Sequence, residues 1–156
     1  VARLTVIGIG SPFGDDQAGW RVAEALAEST CITAYDERLV VTACRSPAGE
    51  LPELLANTDI AIVVDAVRDS GAPGTVYRIE GHDLPVFVAG SLSSHGLALR
   101  TMLELSDVLQ NSPKAMIVYG IEVQFSGTDS VISESTRRAA DWVVEQIIRD
   151  IAHYCG

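Results

Sequence analysis

Cysteine is sparse in this 156-residue chain, basic residues are few, and apolar runs are short. The three cysteines, Cys31, Cys44 and Cys155, lie far apart and form no CxxC pair. That excludes a disulfide framework or a zinc knuckle, and makes a reducing compartment, the cytoplasm, the expectation. Eleven Lys and Arg stand against 21 Asp and Glu, a formal net charge of −10. Without a basic footprint, neither nucleic acid nor an anionic membrane surface is expected as a partner. An apolar stretch such as Ile60–Val64 is far too short to span a bilayer. No basic segment followed by an apolar one opens the chain, so no secretory signal is expected, and a first residue other than Met points to trimming. HExxH and GxSxG are both missing, which removes the familiar zinc-protease and serine-hydrolase patterns. There is no internal repeat, low-complexity tract or linker. With 47% hydrophobic and 21% charged residues, the expectation is one globular domain over 1–156, by default a monomer.

What is present alternates between strand and helix. Arg3–Ile9 is β-branched and apolar, and Gly8 and Gly10 close it. A helix from Asp16 places Trp20, Ala23, Leu26 and Ala27 on one face. Leu39–Cys44 reads as a second strand and Gly49–Asn57 as a short helix with Leu51, Leu54 and Leu55 inward. Ile60–Asp65 is apolar on both faces, the mark of a central parallel strand. The turn Gly71-Ala72-Pro73-Gly74 leads into a strand over Gly74–Glu80, which lacks a crossover helix and so is expected to run antiparallel. Gly81–Ser94 reads as loop, His95–Gln110 as helix and Lys114–Gln124 as strand. Ser133 is the expected cap of a last helix carrying Ala140, Val143, Val144, Ile147 and Ile151 at the 3.6-residue period. The pattern predicts an α/β fold, a three-layer α/β/α sandwich on a mostly parallel, about five-stranded twisted sheet.

Ligands of such sheets bind outside the carboxyl ends of the strands, so reactive side chains there matter most. Asp15 and Asp16 follow the first strand. One acid in a first helical turn suits the free N–H groups and the helix dipole, but one cap needs one carboxylate. Asp15 is therefore assigned to capping and Asp16 to a site. Asp65 closes a wholly apolar strand, where a carboxylate is costly unless hydrogen-bonded, metal-bound or paired, for instance with Arg68. His95, at a loop-to-helix junction, is either a structural histidine or a third ligand if it reaches the same edge. His82 in a polar loop and His153 near the C-terminus are weaker candidates. Two carboxylates and an imidazole suit a borderline divalent metal such as nickel or zinc. Ser93 and Ser94 adjoin His95, but adjacency in sequence does not make a triad. Cys44 reads as a buried small hydrophobe rather than a thiolate.

A nucleotide site is disfavoured on physical grounds. GIGSPFG loosely follows the dinucleotide fingerprint, but a pyrophosphate resting on the helix N-terminus would meet Asp15 and Asp16. The second strand also ends in Ala43-Cys44-Arg45, with no acid to hold a ribose.

The ordered set GIGSPFGDDQAGWRVAEAL, DIAIVVDAV, APGTVYRIE, SSHGLAL and KAMIVYGIEVQ resembles the [NiFe]-hydrogenase maturation endopeptidases over most of the chain. The resemblance implies that Asp16, Asp65 and His95 are the catalytic, metal-contacting residues. It implies no resident cofactor: the metal is nickel already bound in the substrate, although other divalent ions could occupy the site. The implied partner is the hydrogenase large-subunit precursor, which loses a C-terminal peptide after nickel insertion. An alternative on the same three residues is a non-catalytic nickel chaperone or sensor. Two departures stand out. Ser11 replaces an asparagine common in the family, and CRSPAGELPELL keeps only Gly49 of a glycine-rich turn, so the type of hydrogenase served stays open.

Overall fold

The computed structural model describes residues 2–68, 71–80, 113–124 and 131–156. Strand β1 (Leu4–Ile9) leaves through a glycine turn into a 3₁₀ segment, Gly14–Gln17, and then helix α1 (Ala18–Glu28). The α-helix thus starts two residues later than Asp16, because the tighter turn takes up Asp15 and Asp16. A second 3₁₀ segment, Thr30–Arg38, feeds β2 (Leu39–Cys44). Helix α2 (Pro47–Ala56) starts earlier than its leucines indicate, with Pro47 in the first turn, where its missing N–H costs nothing. Strand β3 (Ile60–Val67) is buried throughout, followed by β4 (Val76–Glu80), β5 (Ala115–Glu122) and α3 (Glu134–Cys155). Ser133 caps α3 as expected, its Oγ accepting from Thr136 N at 3.4 Å. The expected loop over 81–94 and helix over 95–110 lie outside the described residues.

The five strands order as β2-β1-β3-β5-β4, parallel except for the antiparallel β4. From β1 the chain first steps one way to β2, then back across β1 to β3. Right-handed crossovers in opposite directions put their helices on opposite faces. Accordingly, α1 and α3 cover one face: Val22, Leu26, Val143 and Ile147 pack on Leu4, Val6, Ile62, Val64 and Tyr119. On the other face, Leu51 and Leu55 of α2 pack on Ile7, Ile9, Val63 and Val118. Alternation along each strand divides the two cores, and burial of these apolar faces supplies the main stabilisation.

Helix α1 lies unusually close to the sheet. A Cβ on Gly8 would stand 2.0 Å from the Gly19 carbonyl oxygen, and one on Gly19 would stand 2.2 Å from that of Ile9 and 2.7 Å from that of Val64. Only a glycine pair permits this approach.

Candidate active site

The reversal of strand order places a switch point between β1 and β3, the position at which open α/β sheets carry their ligand crevice. Asp16 stands in the turn after β1, and Asp65 in β3. One acid therefore comes from each side of the crevice.

The β1 turn is held by its backbone. Gly14 takes a positive φ of 50°, which its missing side chain permits. Asp16 N donates to the Phe13 carbonyl (3.1 Å), and Ser11 N donates to the Asp16 carbonyl (3.2 Å). Gly10 N and Trp20 Nε1 both donate to the Cys44 carbonyl, at 3.0 and 3.1 Å, tying the turn and α1 to the end of β2. Asp16 is half-buried in this frame. Asp15 points elsewhere. It is only 3% exposed, and its two carboxylate oxygens accept from Ser133 N (2.6 Å) and Ser133 Oγ (2.8 Å). Asp15 thus does serve a helix N-terminus, but that of α3, 118 residues along the chain. There the dipole of a 22-residue helix favours its charge. The different work of the two adjacent acids follows from this division.

Asp65 is 2% exposed and lies inside β3, two residues before its end, rather than closing the strand. Its register partner is Gly120 of β5, and Gly120 in turn faces Tyr77 of β4. One residue earlier Gly8 faces Val64, so Asp65 is level with Ile9, which pairs with Cys44. Period-two alternation puts Asp65 on the α2 face with Ala61 and Val63. Glu122 shares that face on the neighbouring strand, again 2% exposed, and its Oε1 accepts from Gly71 N (2.6 Å) and Tyr77 OH (3.2 Å). Sequence reading passed over Glu122, although it carries the signal that singled out Asp65, an acid at the carboxyl end of an apolar strand.

Cys44 closes β2 at the same level and is fully buried. Its Sγ donates to Glu50 Oε2 at 3.4 Å, and the same oxygen accepts from Arg45 N (3.0 Å) and Ser46 N (2.7 Å). Burial first, and the Glu50 carboxylate second, push the thiol up to about 12. It stays protonated at neutral pH and is no nucleophile, in keeping with its reading as a small hydrophobe. The amide of Ser46 above all holds the Glu50 carboxyl below its usual range.

His95, the third expected ligand, lies outside the described residues. Among the described residues no three His, Cys, Asp or Glu side chains converge to hold a metal ion. No described helix is long and apolar enough to cross a membrane.

Fold and topology define a doubly wound α/β protein with Asp16 after one strand of its switch point and Asp65 in the other. The chain belongs to the hydrogenase maturation protease family, whose profile matches residues 21–150. It is 27% identical over 122 residues to the hydrogenase expression/formation protein HupD of Thiocapsa roseopersicina, covering 77% of this chain and 54% of that protein. The chain thus spans about half the length of that relative. The hydrogenase maturating endopeptidase HybD from E. coli superposes with a TM-score of 0.85 at 21% identity, over 97% of this chain and 93% of that one. The [NiFe] hydrogenase maturation protease HycI from Thermococcus kodakarensis KOD1 gives 0.73 at 25% identity, over 95% and 91%.

Proposed function

We propose that this chain is the endopeptidase that removes the C-terminal peptide of a [NiFe]-hydrogenase large-subunit precursor after nickel insertion. The reading is carried by one observation together with the family match: two acids, Asp16 and Asp65, flank the switch-point crevice of a maturation-protease fold. Hydrogenase nickel is substrate here, not a resident cofactor. Asp16 and Asp65 supply hard oxygen donors to it and His95 a borderline nitrogen donor.

Contact with the metal recognises the loaded precursor and sets the scissile peptide against a carboxylate, so that positioning supplies much of the rate. A carboxylate accepts a proton from water as that water attacks the peptide carbonyl, and the amine leaves with a proton. Asp16 is half-buried and Asp65 almost wholly so, which divides the work: Asp16 meets incoming solvent, and Asp65 stays fixed in the sheet.

Incubation with nickel-loaded precursor followed by intact-mass measurement tests the reading. Loss of a C-terminal peptide is expected with the wild-type chain. Asp16→Ala and His95→Ala are expected to abolish it while circular dichroism stays native. Normal processing by both variants would sink the assignment, and nickel uptake without any mass change would indicate a chaperone instead.

A further inference from the structure

Among the described residues, four large hydrophobic side chains are notably exposed: Phe13 (48%), Val40 (50%), Val131 (67%) and Trp142 (48%). Two of them lie close in sequence to the partners of one clamp. Phe13 stands two residues before Asp15, and Val131 two residues before Ser133, the two partners in the buried carboxylate clamp. Distant parts of the chain thus meet at this clamp, and each carries an exposed apolar side chain within two residues of it.

Phe13 is also rigidly placed. Its carbonyl accepts from Asp16 N, and it is the N-cap residue of the 3₁₀ segment, in extended conformation (φ −108°, ψ 120°). Leaving an aromatic ring half in water forgoes burial that a core position would give it. Rigid exposed aromatics are the usual anchors of protein recognition, because little side-chain freedom is lost when they dock. A net charge of −10 offers no general attraction to acidic protein surfaces, which leaves room for local apolar contact to add affinity.

We propose that Phe13, with Val131 beside it, is the docking contact for the hydrogenase precursor polypeptide, receiving apolar side chains next to the scissile bond. The proposal rests on the endopeptidase reading above, and it makes Phe13 a residue of substrate affinity rather than of the chemical step. Both contacts come from segments fixed by Asp15, so one buried link aligns the docking contact with Asp16.

Steady-state processing of nickel-loaded precursor by the full chain, with calorimetric binding of the same precursor, tests this. Phe13→Ser is expected to raise KM and Kd at least tenfold with kcat within twofold of wild type. Phe13→Leu restores most of the affinity. Val131→Ser, in a separate segment, raises KM severalfold, which keeps the test valid if Phe13→Ser folds poorly. Val40→Thr, matched to Phe13 in exposure but on the outer strand β2, leaves both constants unchanged. Unchanged KM in Phe13→Ser and Val131→Ser would overturn the proposal, as would a loss confined to kcat or an equal effect from Val40→Thr. Failure of the endopeptidase reading looks different: the wild-type chain would bind precursor without cleaving it, while Phe13→Ser still weakened binding.

Discussion

At the scale of single residues, two neighbouring aspartates differ in surroundings, Asp15 being buried and Asp16 half-buried. Asp15 accepts two hydrogen bonds from Ser133 in a nearly water-free position. Hydrogen bonds to a charged group contribute more than neutral ones, and their loss would strand the Ser133 amide. Asp15→Ala is therefore expected to lower stability by about 3 kcal/mol in urea denaturation, and Asp15→Asn by about half as much. Cys44 gives a second expectation. Cys31 is exposed, whereas Cys44 is buried with its thiol pushed up to about 12. Iodoacetamide at pH 8 should label Cys31 in the native protein and spare Cys44, as read by peptide mass; rapid labelling of Cys44 would contradict its burial. The burial of Asp65 in the central strand was legible in the sequence because it follows directly on IAIVV. The work of Asp15 was half legible, since its spacing announces a cap but cannot announce that the capped helix begins 118 residues away.

Among the elements, those with strong periodicity were read with bounds close to the observed ones. Helix α3 shows an apolar stripe at the 3.6-residue period with a serine in front, and β3 an unbroken apolar run. The run of β3 goes on through Asp65 to Val67, because pairing with Gly120, Ile121 and Glu122 of β5 outweighs the polar side chain. The segment Thr30–Arg38 left no trace, since short 3₁₀ turns present no apolar stripe. The seating of α1 on β1 depends on Gly8 and Gly19. Gly19→Ala would push a methyl carbon against two strand carbonyls, and a destabilisation of about 3 kcal/mol or more is expected by thermal or urea denaturation. Glu50 gives the N-terminal turn of α2 a pH dependence. Its folded pKa is depressed, so its contribution is present above the unfolded carboxyl value and lost as pH falls through the lower folded one. The stability gap between wild type and Glu50→Gln should therefore close on acidification below about pH 4 and stay constant between pH 6 and 8.

For the whole molecule, alternating strands and helices announced the fold class, and the missing crossover announced the antiparallel β4. The order β2-β1-β3-β5-β4 was not legible, because strand neighbours are chosen by packing between segments far apart in sequence. That order sets the strand preceding Asp16 beside the strand bearing Asp65, a placement that emerges only from topology. Glu122 carried the same signal as Asp65 at the end of its own apolar strand, whereas its partners Gly71 and Tyr77 emerge only from the fold.

The link between Asp15 and Ser133 also carries a temporal consequence. A chain emerging from the ribosome makes β1 and its glycine turn almost at once, yet the partner of Asp15 is synthesised 118 residues later. Until then the turn bearing Asp16 is held by its own backbone and the end of β2, and the Asp15 carboxylate has no helix terminus to face. Such long-range contacts form late, after much of the sheet has assembled. The surroundings of Asp16 are thus complete only after the segment carrying Ser133 has been made.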